Sequence, residues 1–333
     1  MTLNQGNIPT NSALLPKVSV VIPVYNGEAD LPDLLNCLCN QTYPVERVEY
    51  LLVDNGSGDR TAAILQDAVQ KFAAKSVPLS PLSENQVQSS YAARNAGIRA
   101  AKGDILAFTD ADCRPQPNWL QTLIQPFGNT KIGMVAGEIL PFPGKTLWEK
   151  HADRQDTLSQ KHTLAHPFYP YGQTANLAVR RSVLEQVGLF RPYLTTGGDA
   201  DLCWRMQQQT SWQLSFAEQA IVQHRHRATL QELRSQWRRY GRSNRYLHEL
   251  HGVDLMRELT LPESLYRLLR WLLKELPGTA SKLVRFNPET ASAPKPELVD
   301  LISTPLNLVC VHARTTGQRQ AKLPVQAHQI EWL

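Results

Sequence analysis

The chain has 333 residues, 42% apolar and 20% charged, enough for one large core or one large domain with a smaller appendage, and this composition excludes a disordered or fibrous protein. A formal net charge of +5 is mildly basic; it suits phosphate-bearing ligands or an anionic membrane face without choosing between them, and no nucleic-acid partner is expected. Five scattered cysteines, Cys37, Cys39, Cys113, Cys203 and Cys310, form no disulfide framework and point to a reducing, cytoplasmic setting.

Residues 1–16 read as a polar leader, without the basic start and apolar run of a signal peptide. Nowhere do about 18 apolar residues run together, as a membrane-spanning helix needs. Val18–Tyr25, VSVVIPVY, is a β-branched run closed by Asn26-Gly27, which predicts a buried strand ending in a turn. Leu31, Leu34, Leu35 and Leu38 then recur at helical spacing. Val48–Val53 predicts a second strand leading into Asp54-Asn55-Gly56-Ser57-Gly58-Asp59, and Ala62–Ala74 a helix with Ile64, Leu65, Ala68, Val69 and Phe72 on one face. A strand near Val77–Leu82 and a helix at Ala92–Ala101 follow, and Ile105–Thr109 is a strand that runs straight into Asp110-Ala111-Asp112. Leu120–Phe127 reads as helical, Ile132–Ala136 as extended and Trp148–Leu164 as one helix. Asp201–Gln209 reads as helix, Ala220–Gln223 as strand and Thr229–Leu250 as a long arginine-rich helix.

Strands alternating with helices predict an α/β fold, a mostly parallel sheet flanked by helices. Ligands of such sheets bind beyond the carboxyl ends of the strands, where Asp54, Asp110 and Asp112 would converge. The expected organisation is a catalytic domain over 17–250 and a mainly helical extension over 251–333, with a linker near 287–297 (NPETASAPKPE). In the extension, Thr260-Leu261-Pro262-Glu263 has the form of a capping box, and Leu265, Leu268, Leu269, Leu272 and Leu276 share one face, flanked by Arg267, Arg270 and Lys274 with Trp271 nearby. Two readings stay open for it, packing onto the catalytic domain or lying in a membrane interface.

Asp110-x-Asp112 at a strand end can hold a Mg²⁺ or Mn²⁺ that also takes diphosphate oxygens, although a solvated turn has the same spacing. A phosphoaspartate hydrolase also carries such a pair, but it wants a small Thr or Val where Arg114 stands. Gly56-Ser57-Gly58-Asp59-Arg60-Thr61 resembles a dinucleotide loop only superficially: Thr61 replaces the third glycine and the loop follows the second strand, so Asp59 reads as a helix cap. His224-Arg225-His226 follows a strand, and an imidazole there could complete a metal site begun by Asp112; a basic surface turn is the alternative.

Taken in order, VSVVIPVYNGE (Val18–Glu28), LLVDNGSGDRT (Leu51–Thr61), AARNAGIRAAKGDILAFTDADC (Ala92–Cys113), TANLAVRRSVLEQVGLF (Thr174–Phe190), GGDADLCWRM (Gly197–Met206) and HRHRATL (His224–Leu230) resemble the family 2 glycosyltransferases of the GT-A fold, over roughly 17–245. The resemblance implies an inverting, metal-dependent enzyme that moves a sugar from a nucleotide diphosphate sugar to a hydroxyl on a carbohydrate or lipid-linked acceptor, in polysaccharide or glycolipid biosynthesis. It implies that Pro23, Tyr25, Asn26, Asp54, Arg94 and Asp110 bind the donor, and that Asp112 with His224 or His226 holds Mg²⁺ or Mn²⁺. Asp199 matches the Asp of the family's Glu-Asp pair and would be the general base, with Gly198 where the Glu usually stands; Asn176, Gly198, Asp201 and Trp204 would lie on the acceptor side. Gln236-Trp237-Arg238-Arg239-Tyr240 is similar to the QxxRW motif of processive members, with Tyr240 in place of Trp. The rival readings are a sugar nucleotidyltransferase, whose glycine-rich loop is not matched by Tyr25-Asn26-Gly27-Glu28, and a non-catalytic subunit of a polysaccharide assembly complex. Beyond donor and acceptor, the peripheral partner expected is the cytoplasmic face of a membrane.

Overall fold

The computed structural model describes residues 15–285 and 297–333, so the leader apart from its last two residues, and the linker apart from Glu297, lie outside the described residues. The chain divides into two units.

The first unit takes residues up to 140 together with 158–225 and 324–333. Its strands are β1 (Val18–Val24), β2 (Val48–Asp54), β3 (Leu79–Ser83), β4 (Ile105–Phe108), β5 (Cys113–Pro115), β6 (Ile132–Pro141), β7 (Leu177–Arg180) and β8 (Gln213–His224), in one sheet of order β3-β2-β1-β4-β7-β6-β8-β5. Every residue of β1 is buried, as its uninterrupted apolar run requires. β3, β2, β1 and β4 are parallel because helices α1 (Leu31–Cys39), α2 (Thr61–Ala73) and α3 (Ser90–Ala100) supply the crossovers between them. α1 buries Leu31, Leu34 and Leu38, and α2 buries Leu65, Ala68 and Phe72, the stripes their spacing predicts. In α3, Gly97 lets the helix backbone approach the sheet: a Cβ there would lie 2.4 Å from Val21 Cγ1.

The α/β architecture is therefore as expected, but the sheet as a whole is mixed. β7 runs antiparallel to β4 and to β6, and β5 runs antiparallel to β8. The remaining helices of this unit are α4 (Trp119–Ile124), α6 (Gln160–Leu164), α7 (Arg181–Val187) and α8 (Gly198–Gln209), with α5 (Leu147–Arg154) assigned to the other unit. The single helix expected over Trp148–Leu164 is thus two, α5 and α6, and between them Asp156 adopts a left-handed φ of 46° that a continuous helix forbids. The last residues return to this unit: the Leu189 amide donates to the Glu331 carbonyl at 2.7 Å and Asn95 Nδ2 to Glu331 Oε2 at 2.8 Å.

The second unit, 141–157 and 226–323, is helical. It holds α5, α9 (Leu230–His251), α10 (Leu261–Arg270), a π-helical turn (Trp271–Glu275), α11 (Leu276–Arg285), α12 (Leu298–Leu301) and α13 (Ser303–Gln320). The Thr260/Glu263 capping box forms at the start of α10, and a second one, Thr229/Glu232, starts α9. α9 sits with this unit because it crosses α13 at reciprocal glycines: a Cβ on Gly241 would meet the Arg314 carbonyl oxygen at 1.9 Å, and one on Gly317 the Arg238 carbonyl oxygen at 2.0 Å. Among the described residues no helix is long and apolar enough to cross a membrane.

Candidate functional site

The turns after β1 and β2 are tied into one rim. Asn26 takes a left-handed φ of 50°, a conformation its short amide tolerates; its Oδ1 accepts from the Gly58 amide at 2.8 Å, and its own amide donates to Ser57 Oγ at 2.9 Å. Thr61 Oγ1 accepts from the Gly27 amide at 2.8 Å, and Asp59 Oδ2 from the Glu28 amide at 3.0 Å. The cap position of α2 is Arg60, not the expected Asp59, whose Oδ1 instead accepts from the Thr61 amide in a turn just ahead of the helix. These bonds hold the backbone beside Pro23 and Tyr25, whose ring is exposed.

Asp54 ends β2 opposite Val24, and Asp110 lies two residues beyond Phe108, which pairs with Val21. The two aspartates thus flank β1 at one sheet edge, roughly 10 Å apart at two inter-strand spacings. Asp54 Oδ1 accepts from the Ser57 amide at 3.0 Å, which fixes the orientation of its carboxylate. Arg94, almost fully buried on α3, reaches across to Asp110 Oδ1 at 2.5 Å. A buried guanidinium held by one carboxylate is a preformed site for an anion.

The metal candidates separate. The β5–β8 pairing sets Cys113 opposite His224, which brings His224 Nε2 within 3.2 Å of Asp112 Oδ2. One ligand atom each from Asp112, Cys113 and His224 lie within 4.8 Å of one another. A carboxylate oxygen and an imidazole nitrogen, one partly exposed and the other buried, suit Mn²⁺ or Mg²⁺, so the residues fit the expected ion. Burial, reinforced by Asp112 and Asp110, pushes the Cys113 thiol well above its ordinary range, so it stands beside the pair as a neutral group. His226 is directed elsewhere, its Nε2 lying 3.0 Å from Asp153 Oδ1. Arg114, the residue that argued against a phosphoaspartate hydrolase, is buried and bonds Asp30 Oδ1 at 2.9 Å.

Asp199 lies in the first turn of α8. Thr174 holds it, the hydroxyl donating to Oδ1 at 3.0 Å and the amide to Oδ2 at 3.3 Å. Burial raises the Asp199 pKa above the usual carboxylate range; Arg94 lowers it, Asp110 adds to the rise, and the Thr174 bonds oppose it. Asp199 therefore lies in the field of the Arg94–Asp110 pair.

The residues expected on the acceptor side are instead inside the fold. Asn176 is fully buried: Nδ2 donates to the Glu138 and Ala220 carbonyls at 2.8 and 2.7 Å, and Oδ1 accepts from Trp119 Nε1 at 2.7 Å. Asp201 is fully buried between Arg191 Nε at 2.9 Å and Arg205 Nε at 3.0 Å, its carboxylate engaged by both guanidinium groups. Trp204 is fully buried with Nε1 donating to the Tyr169 carbonyl at 2.8 Å, and Gly198 is buried against Tyr91. Each makes a structural bond, and a group already satisfied in the core has little left to offer a ligand. Thr174, Tyr91 and Cys113 were the residues not singled out from sequence. Thr174 opens the TANLAV segment and Cys113 follows Asp112 directly, but only the chain crossings put them beside Asp199 and His224.

The comparisons with known proteins give the family. The glycosyl transferase family 2 profile matches residues 19–188, and that of glycosyl transferase family group 2 matches 105–283. The chain is similar to glycosyltransferase AglE of Haloferax volcanii, 35% identical over 252 residues, covering 75% of this chain and 80% of that protein. It also resembles an undecaprenyl-phosphate 4-deoxy-4-formamido-L-arabinose transferase of Pseudomonas aeruginosa, 31% identical over 195 residues; the match takes 56% of this chain and only 55% of that protein. Among solved structures it shares its fold with mannosyltransferase PcManGT from Pyrobaculum calidifontis, crystallised with GDP-Man and Mn²⁺, at a TM-score of 0.61 and 17% identity over 93% of this chain and 89% of that one. Sequence motifs, mixed sheet and relatives thus lead to one assignment: the chain belongs to glycosyl transferase family 2.

Proposed function

We propose that this glycosyltransferase moves a sugar from a nucleotide diphosphate sugar to a hydroxyl of a carbohydrate or lipid-linked acceptor, with inversion at the anomeric carbon. The observation that carries the reading is the grouping of Asp199 with the Arg94–Asp110 pair, within the unit that also holds the Asp112–His224 pair. Asp54 and the Asn26 rim receive the nucleoside, Asp54 by accepting a hydrogen bond from the base. Arg94, fixed by Asp110, meets the donor's negative charge. Asp112 and His224 are the residues that would hold a divalent cation, which would supply positive charge to the diphosphate leaving group.

Asp199 takes the proton from the acceptor hydroxyl as that oxygen bonds to the anomeric carbon and the bond from that carbon to the diphosphate oxygen breaks. Thr174 aims the carboxylate through two bonds. Burial makes Asp199 a stronger base than an exposed aspartate, since a raised pKa means a greater hold on the proton. One displacement at the carbon inverts it.

The test is a donor screen: purified chain, Mn²⁺, a panel of UDP-, GDP- and dTDP-sugars, and detection of released nucleotide. A donor consumed only with an acceptor present, giving a product of inverted anomeric configuration, is the expected result. Retention of configuration would overturn the mechanism, and conversion of the donor to sugar 1-phosphate and nucleoside triphosphate on addition of pyrophosphate would favour a nucleotidyltransferase.

A further inference from the structure

The continuous helical run of α10, the π turn and α11 buries none of its described residues through Glu275, although it is rich in leucine. Leu261, Leu265, Leu268, Leu269, Leu272 and Leu273 are between 39% and 87% exposed. They recur at intervals of three or four residues and so form one stripe, with Leu273, four residues beyond Leu269, at its margin. The run is attached at the π turn, where Trp271 Nε1 donates to the Leu301 carbonyl at 2.7 Å and Thr304 Oγ1 to Glu275 Oε2 at 2.6 Å. Those bonds hold one edge of the helix to α12 and α13 and leave the leucine stripe open. A soluble monomer rarely exposes so much contiguous apolar surface unless something covers it.

The charges say what covers it. Residues 261–285 contain five basic side chains, Arg267, Arg270, Lys274, Lys282 and Arg285, against two acidic ones, Glu263 and Glu275. Both acids are engaged, Glu263 by Arg257 and Glu275 by Arg270 at 3.0 Å. Among the described residues no carboxylate pairs with Arg267, Lys274 or Lys282. An apolar stripe with uncompensated cations on the same helix suits a surface that is oily beneath and negative at its rim. A second copy of the chain docking through this same face would offer the same cations and no counter-charge.

We propose that α10, the π turn and α11 form a docking surface for an anionic lipid bilayer, on which the helix lies in the interface plane. The leucines enter the acyl boundary and Arg267, Lys274 and Lys282 meet lipid phosphates. This surface does not depend on the transfer chemistry, so flotation and nucleotide release fail independently.

The experiment is flotation of the full chain with phosphatidylcholine vesicles, with or without about 30% phosphatidylglycerol. Wild type floats with the anionic vesicles and at least roughly tenfold less with neutral ones, and about 1 M salt, where the Debye length is about 3 Å, releases it. Leu269→Glu with Leu272→Glu lowers partition by at least about tenfold at unchanged melting temperature, because both positions are already exposed. Arg267→Gln, Lys274→Gln and Lys282→Gln together abolish the preference for anionic vesicles and keep the weak neutral binding. Failure of wild type to float with either vesicle overturns the proposal, as does flotation that the paired glutamates leave intact. A concentration-dependent dimer dispersed by those glutamates, with no flotation, would assign the stripe to a second copy.

Discussion

The Tyr91 ring occupies the space beside Gly198: a Cβ added to Gly198 would lie 2.7, 2.8 and 2.9 Å from three of its ring carbons, and the Gly198 amide donates to the Tyr91 hydroxyl at 3.0 Å. The ring is buried and stacks on Phe190 at 5.5 Å. In this chain an aromatic ring fills the space that a side chain at position 198 would need. Gly198→Ala is therefore expected to destabilise the fold by about 1–3 kcal/mol, as overpacking does. Gly198→Glu should be worse, and Tyr91→Leu should partly restore Gly198→Ala. Thermal melts of the single and double variants check this; additive losses would mean that the ring is not the obstacle.

Nucleotide diphosphate binding is expected to require a divalent cation, because carboxylates and diphosphate repel without one. Asp112→Ala should weaken Mn²⁺-dependent binding by at least about tenfold, His224→Ala by less, and His226→Ala scarcely, since His226 lies against Asp153. Calorimetric titration of each variant, with and without EDTA, gives the order. Affinity unchanged in EDTA would remove the metal from the site.

Asp199→Asn is expected to lower the transfer rate about 10²–10⁴-fold with donor affinity near wild type. The acid limb of the wild-type rate profile should lie above the ordinary aspartate range, because the base must be ionised and burial raises its pKa. The same shift has a stability consequence. The folded state holds this proton more tightly than the unfolded chain, so stability falls as pH rises from the unfolded pKa through the folded one, and the cost persists above it. Asn carries no such cost, so Asp199→Asn should melt no lower than wild type at neutral pH. An inactive variant that also melts far lower would mark Asp199 as structural.

Gly241→Ala and Gly317→Ala are expected to destabilise, although alanine is the better helix former by about 1 kcal/mol. In both cases the new Cβ meets a backbone carbonyl, at 1.9 and 2.0 Å, and α9 and α13 must part. Gly278 in α11 has nothing within 4 Å of an added methyl, so Gly278→Ala should stabilise by about 0.5–1 kcal/mol. Opposite signs in denaturant melts would establish the tight crossing, and the same sign for all three would refute it.

Local chemistry made much of this protein legible in its sequence. β1, β2 and β4 are largely apolar runs too short for helices, and Asn26, Asp54 and Asp110 stand at or just beyond their ends, so the carboxyl edge of the sheet could be located before any pairing was known. The Thr260/Glu263 box is a pattern of four neighbouring residues and formed as written. Other features depended on residues far apart in the chain. The antiparallel return of β8 onto the three-residue β5 decides that His224, the last residue of β8, joins Asp112. His226, two positions on and beyond the end of that strand, need not share the partner, and it goes to Asp153. Burial of Asn176, Asp201 and Trp204 likewise follows from partners distant in sequence, among them Glu138, Arg191 and Tyr169, which no local pattern announces. The sequence by itself determined the parallel strands β1 to β4 and the acidic residues at the ends of β2 and β4, because those follow from side-chain periodicity and backbone preference. The short strands β5 and β7 carry no such pattern and exist through their antiparallel partners. Only the tertiary structure decided which polar groups face one another and which are spent inside the core, because that depends on how the sheet closes.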